Sequence, residues 1–135
     1  MRIDGACHCG KISYEADIDP EKVGVCHCTD CQALTSSAFS TFVAVPKKAF
    51  RLRGQPKVYV KTAESGNRRA QAFCPDCGTR MYAAAEFDPP IFNVRIGTVR
   101  QRQALAPKFQ VWCRSALPWV MNIAPIRQHA KNSPA

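Results

Sequence analysis

Seven of the eight cysteines in this 135-residue chain occur in three short clusters, and no other feature constrains its fold as strongly. The clusters are CxC at Cys7 and Cys9, CxCxxC at Cys26, Cys28 and Cys31, and CxxC at Cys74 and Cys77. These spacings are typical of metal ligands. If the clusters share metal ions, the start, the first third and the middle of the chain meet in space.

The N-terminal residues lack the apolar run of a signal peptide, and no segment approaches the ~18 apolar residues of a membrane span. We therefore expect a soluble, cytoplasmic protein whose thiols stay reduced, with a disulfide framework as the less favoured alternative. Zinc is the predicted metal, although iron also accepts four thiolate ligands. The formal charge of +9 favours anionic partners, either nucleic acid or a small molecule carrying carboxylates, unless it serves solubility alone.

Short segments of alternating polarity, separated by Gly/Pro turns, predict a mainly-β domain built from hairpins over residues 1–123, followed by a flexible tail over 124–135. One short helix is predicted through residues 30–34, capped by Thr29. The predicted strands are a hairpin within 2–18, then 38–45, 50–53, 57–62, 68–73, 79–85, 91–97 and 109–113.

Local geometry follows from this pattern. Cys7 and Cys9 are expected to lie on one face of an extended segment, as are Cys26 and Cys28, while the helix returns Cys31 to Cys28. His8 then points to solvent or into packing, and Cys113 is expected as a small buried side chain on a strand. The cations of 38–62 are expected on the solvated face of a meander whose aromatic residues face the core: Lys47, Lys48, Arg51, Arg53, Lys57 and Lys61.

Spacing alone leaves two groupings of the cysteines open. In the first, Cys7 and Cys9 join Cys74 and Cys77 in a closed four-cysteine site, and the central triplet binds a second ion with one open position. In the second, Cys7 and Cys9 join two cysteines of the triplet. The third triplet cysteine then joins Cys74, Cys77 and Cys113, so that both sites are structural.

Three motifs carry a resemblance to a known family: Cys7-His8-Cys9-Gly10, the stretch from Cys26 to Cys31, and Phe73-Cys74-Pro75-Asp76-Cys77-Gly78. With Ser37-Ala38-Phe39, Ile96-Gly97-Thr98 and Pro118-Trp119, the chain resembles the glutathione-dependent formaldehyde-activating enzyme (GFA) family, also called the centromere-protein-V (CENP-V)/GFA domain. The resemblance implies an Mss4-like β-sheet fold and two zinc ions. It implies a structural zinc at Cys7, Cys9, Cys74 and Cys77, and a catalytic-type zinc at Cys26, Cys28 and Cys31.

The function implied by this resemblance is that of a carbon–sulfur lyase. A small anionic thiol such as glutathione completes the open zinc site, and an S-hydroxymethyl adduct with formaldehyde or a related aldehyde is formed or cleaved. Only His27 and Asp30, beside the ligands in sequence, are candidates for acid–base catalysis. Val99-Arg100-Gln101-Arg102 replaces residues that are usually acidic in the family, so a thiol other than glutathione is expected if that loop borders the site.

Two other functions stay open at this point. One is a zinc-stabilised module that binds nucleic acid or a protein partner through its basic surface. The other is a thiol carrier that binds glutathione without turnover.

Overall fold

A computed structural model describes residues 1–133, which form ten strands and one α-helix. The prediction of a mainly-β fold with one short helix is confirmed. The predicted tail stays a prediction over 124–133, and residues 134 and 135 lie outside the described residues. The elements are β1 (Arg2–Ala6), β2 (Ser13–Asp17), β3 (Val23–Cys26), α1 (Thr29–Thr35), β4 (Ser40–Pro46), β5 (Phe50–Arg53), β6 (Lys57–Thr62), β7 (Arg68–Phe73), β8 (Arg80–Ala85), β9 (Ile91–Arg95) and β10 (Phe109–Val111).

The strands form two sheets. The larger has the order β10-β3-β4-β9-β8-β7-β6, antiparallel except for the pairing of β10 with β3, and the smaller has the order β1-β2-β5. The predicted hairpin of residues 2–18 is confirmed, with Ile3 opposite Ala16. The predicted meander is wrong, because β5 leaves the neighbourhood of β4 and β6 and pairs with β2. Phe50 and Leu52 on β5 pack against the core from the smaller sheet.

Alternation along the strands gives the larger sheet two different faces. Val43 on β4 and Val94 on β9 are fully buried in one core cluster with Ile3 and Tyr14 of the smaller sheet. The intervening residues of the same strands, such as Phe42 and Arg95, therefore project from the opposite face. The core lies between the two sheets, and the opposite face is free to form a site.

Two expectations about β6 are wrong. Lys57, Tyr59 and Lys61 share one phase of this edge strand, and Tyr59 is 54% exposed instead of lying in the core. Five of the six predicted surface cations are exposed, but the Lys61 side chain is only 19% exposed. It lies against α1, where its Nζ is 2.7 Å from Asp30 Oδ2.

The N-cap of helix α1 lies one residue before the predicted cap. Cys28, not Thr29, is the N-cap: its backbone is extended and its Sγ accepts a hydrogen bond from the Cys31 N–H at 3.2 Å. Ser36, in the left-handed region at φ 51°, ends the helix. No helix within residues 1–133 is long and apolar enough to cross a membrane.

Candidate metal centre and adjoining cleft

The central triplet converges at the corner between β3 and α1. Cys26 is the last residue of β3, Cys28 caps α1 and Cys31 lies in its first turn. All three sulfurs lie within 4.8 Å of one another. The expected change from strand to helix therefore does bring Cys31 back to Cys28, and the three-cysteine cluster has the spacing of ligands to one ion.

The thiols of this cluster differ in acidity. Hydrogen bonding from the neighbouring Cys26 and Cys28 thiols, with the positive charge of Arg95, lowers the pKa of Cys31 to about 5. Hydrogen bonding to Cys31 and burial raise the pKa of Cys26, and burial raises the pKa of Cys28. At pH 7 the metal-free cluster therefore holds one thiolate and two thiols.

This division predicts the proton count of metal binding. Zinc(II) added to the three-cysteine cluster at pH 7 should release about two protons, because Cys31 is already ionised and only Cys26 and Cys28 must lose theirs. The apparent affinity should then rise with pH, by about a factor of 100 per unit below the pKa values of those two thiols. Calorimetry in two buffers of different ionisation enthalpy measures the number of protons released. The protein for this titration already carries one equivalent of zinc, which occupies the four-cysteine cluster. A release of three protons would contradict the assignment of a Cys31 thiolate.

The remaining four clustered cysteines join two hairpins. Cys7 and Cys9 follow β1, and Cys74 and Cys77 follow β7; their sulfurs lie within 4.8 Å of one another, with Cys9 Sγ 3.7 Å from Cys74 Sγ. Cys7 and Cys74 are buried, whereas Cys9 and Cys77 are exposed. The seven sulfurs therefore lie together as one set of four and one set of three.

The first pair is presented by a turn, and the expectation of an extended CxC segment is wrong. The Gly10 N–H donates to the Cys7 carbonyl at 3.1 Å, which closes a turn with Gly10 at φ 82°. The Ile12 N–H donates to Cys7 Sγ at 3.3 Å. In the second pair, the Thr79 hydroxyl lies 3.2 Å from Cys77 Sγ. Hydrogen bonds from this hydroxyl and from the Thr79 backbone N–H lower the pKa of Cys77 to about 5. Backbone and hydroxyl donors thus support thiolates at both pairs.

The donor sets fit two metal ions of different character. Four thiolates close a tetrahedral shell, whereas three leave one position for another ligand. The three-cysteine cluster also borders open space, while the four-cysteine cluster is closed by its own ligands. The two clusters could therefore bind a structural ion and a reactive one.

The open space is a cleft of about 470 Å³ on the free face of the larger sheet, here called the thiol cleft. Its floor comes from Phe42, Arg69, Gln71, Ala83, Asn93 and Arg95, and its rim from Thr29, Asp30, Lys61, Ala63, Glu64, Val111, Trp112, Arg114 and Ser115.

Charge in the thiol cleft is mostly positive. Lys61 pairs with Asp30 at 2.7 Å, and Arg114 pairs with Glu64 at 3.2 Å, so each rim carboxylate is matched by a cation. Arg69 and Arg95 on the floor have no carboxylate within 4.0 Å among residues 1–133. Burial lowers the pKa of Arg95, and the neighbouring Cys31 opposes that shift. The cleft therefore favours an anionic ligand beside the three cysteines.

Sequence reasoning missed Arg69, Gln71, Asn93, Arg95 and Lys61. The signal was available for the four residues on β7 and β9, since each lies in the strand phase opposite to the fully buried Ala72 or Val94. No such signal marks Lys61, because β6 has no buried residue. Gln71 is the clearest case, because it is only 5% exposed, lines the cleft and has no side-chain hydrogen bond within the described part of the chain.

The other residues singled out by sequence lie away from the thiol cleft, except Asp30. His27 is buried on the far side of β3, where its Nε2 is 2.7 Å from Gln110 Oε1. His8 is exposed. Cys113 is exposed in a 3₁₀ turn, so its expected burial on a strand is wrong. In the loop from Val99, Arg100 and Gln101 bind Asp4 of β1, and the loop does not line the cleft.

Comparison with known proteins agrees with this arrangement. Residues 2–115 match the family described as glutathione-dependent formaldehyde-activating enzyme. An uncharacterized lyase of Schizosaccharomyces pombe is 31% identical over 81 residues, which is 60% of this chain and 56% of that relative. The chain thus spans little more than half the length of this relative. The crystal structure of a Rhodobacter sphaeroides protein, 17% identical, has the same fold, with a TM-score of 0.60 over 79% of this chain and 98% of that one.

Proposed function

The chain belongs to the glutathione-dependent formaldehyde-activating enzyme family, and from this premise we propose that it is a zinc-dependent carbon–sulfur lyase. In the proposed reaction a small anionic thiol such as glutathione adds to formaldehyde or a related aldehyde, or the adduct is cleaved. The observation that carries the proposal is the position of the three-cysteine cluster on the wall of a positively charged cleft. A four-cysteine site elsewhere in the chain leaves this cluster free for chemistry.

Cys26, Cys28 and Cys31 would hold the proposed zinc, and the position left by three ligands would be open to the sulfur of the substrate thiol. Bound zinc would lower the pKa of that thiol and hold it as a thiolate at neutral pH. The chain's own residues bind the rest of the substrate. Arg69 and Arg95 would donate hydrogen bonds to carboxylates of the substrate. The unpaired amides of Gln71 and Asn93, on the cleft floor, would form hydrogen bonds with its peptide-type groups.

The proton balance needs no further reagent. The substrate S–H bond breaks, sulfur donates an electron pair to the aldehyde carbon, and the carbonyl π electrons move to oxygen, which takes a proton. We assign to the Asp30 carboxylate the transfer of this proton from sulfur to oxygen, since it borders the cleft and is oriented by Lys61 at 2.7 Å. His27 is not retained for this role, because its ring lies outside the cleft.

The experiment is the rate of formaldehyde consumption by zinc-loaded protein with glutathione, with ¹³C NMR to identify the S-hydroxymethyl product. We expect a rate above that of the mixture without protein, and a loss of about a hundredfold in Asp30→Asn. Asp88→Asn is the matched control, since Asp88 lies in an exposed turn near Lys47 and does not border the cleft. Glutathione binding without any acceleration would leave a thiol carrier and overturn the proposed lyase.

A further inference from the structure

A second cleft, of about 550 Å³, borders the end of α1, whereas the thiol cleft borders the first turn of that helix. It is here called the arginine cleft, after Arg80 and Arg95, the two charged residues that line it. The end of α1 and the start of β4 form one wall, and Gly78 and Gly97 the other. A Cβ built on either glycine meets no atom within 4 Å, so this wall is open to a ligand.

The chemistry of the arginine cleft is one-sided. Its lining contains two guanidinium groups and five hydroxyl side chains and no carboxylate. The hydroxyls of Thr35 and Ser37 already donate to the carbonyls of Cys31 and Phe39. Ser36 and Thr41 have no side-chain hydrogen bond in the described chain, so their hydroxyls are free to donate.

Arg80 is the residue that most needs a ligand. Its guanidinium lies over the Phe73 ring, 5.0 Å from the centroid, and no carboxylate lies within 4.0 Å of it among residues 1–133. Its Nη1 is buried and has no acceptor. Leaving a buried charged donor without an acceptor costs more than leaving a neutral one, and the ring offsets only part of that cost. An anion at the edge of the guanidinium that lines the cleft would neutralise the charge.

We propose that the arginine cleft binds the carboxylate or phosphate group of a small organic molecule between Arg80 and Arg95. Both groups are oxyanions that accept two parallel hydrogen bonds from a planar guanidinium. The cleft is larger than the oxyanion alone, which leaves room for the organic part beside Phe39 and Leu34. This site does not depend on the proposed lyase reaction, although Arg95 lines both clefts.

The test is a titration of zinc-loaded protein followed by the NMR signals of the arginine Nε–H groups. The probes are sodium phosphate and sodium succinate, with sodium chloride at equal ionic strength as the reference. We expect the Arg80 and Arg95 signals to shift and saturate with at least one oxyanion and not with chloride. The probe that saturates at the lower concentration assigns the ligand as a phosphate or a carboxylate.

Variants of Arg80 distinguish oxyanion binding in the arginine cleft from general screening of charge by salt. Arg80 lines the arginine cleft and not the thiol cleft. Arg80→Gln should weaken oxyanion binding by at least about tenfold, and Arg80→Lys should weaken it less because the charge remains. Arg53→Gln, an exposed arginine on β5, should leave binding unchanged. Equal shifts with chloride, or unchanged affinity in Arg80→Gln, would overturn the proposal. The wild-type titration decides the question even if Arg80→Gln fails to fold.

Discussion

Cys28→Ser is expected to bind one zinc ion per chain, instead of the two proposed for the parent protein, while the fold is retained. Serine is a good N-cap residue, so its Oγ can still accept the Cys31 N–H that Cys28 Sγ accepts at 3.2 Å. Its hydroxyl is a far weaker zinc ligand than a thiolate at pH 7. Two remaining thiolates would leave the ion poorly held, and we expect the proposed activity to fall by more than about a hundredfold. Metal analysis together with circular dichroism measures both quantities.

Two further variants isolate the cause. Cys28→Ala removes the ligand and the helix cap together, so it should lose the same zinc ion and a further ~1 kcal/mol of stability. Cys113→Ser changes an exposed cysteine that belongs to neither cluster, and it should keep both ions and full activity. Two tightly bound ions in Cys28→Ser, or activity like that of the parent, would refute the role given to the three-cysteine cluster.

Much of the secondary structure could be predicted because its signals are local. The strands at β5, β6 and β7 begin and end where alternation and turn residues indicate. The cap of α1 shifted by one residue because a cysteine, outside the usual N-cap set, accepts the hydrogen bond there. The turn at Cys7 replaced the expected extended CxC segment because the Gly10 N–H donates to the Cys7 carbonyl, so that both cysteines lie within the turn.

Sheet partners and the cleft could not be predicted in the same way, since they depend on contacts distant in sequence. Nothing near Phe50 shows that β5 pairs with β2, which lies more than 30 residues earlier, instead of with its neighbours. In sequence, Lys61 resembles the other surface cations, and only the folded chain brings it beside Asp30 of α1. Arg95 carries no motif, yet it reaches the three-cysteine cluster because β9 pairs with β4. The family resemblance supplied the proposed metal ligands but not these side chains.

Cys74→Ser is expected to have the opposite consequence to Cys28→Ser, namely loss of the folded state. Cys74 is fully buried and belongs, with Cys7, to the core cluster between the two sheets. The four-cysteine cluster fastens the hairpin of β1 and β2 to that of β7 and β8, and structural zinc contributes roughly 10 kcal/mol to folding in small zinc domains. That amount is comparable with the whole stability of an ordinary domain, about 5–15 kcal/mol. Serine would also leave a buried hydroxyl among the remaining sulfurs.

Thermal unfolding followed by circular dichroism distinguishes the two clusters. Cys74→Ser should show no cooperative transition, and Cys31→Ser, which removes a ligand from the other cluster, should still unfold cooperatively. A chelator should act in two stages on the parent protein. The first ion leaves from the three-cysteine cluster, which is open to the thiol cleft, without unfolding, and loss of the second coincides with unfolding. If Cys74→Ser melted within a few degrees of the parent, the core between the sheets would be sufficient without the metal. The four-cysteine cluster would then have to be reconsidered as a reactive site.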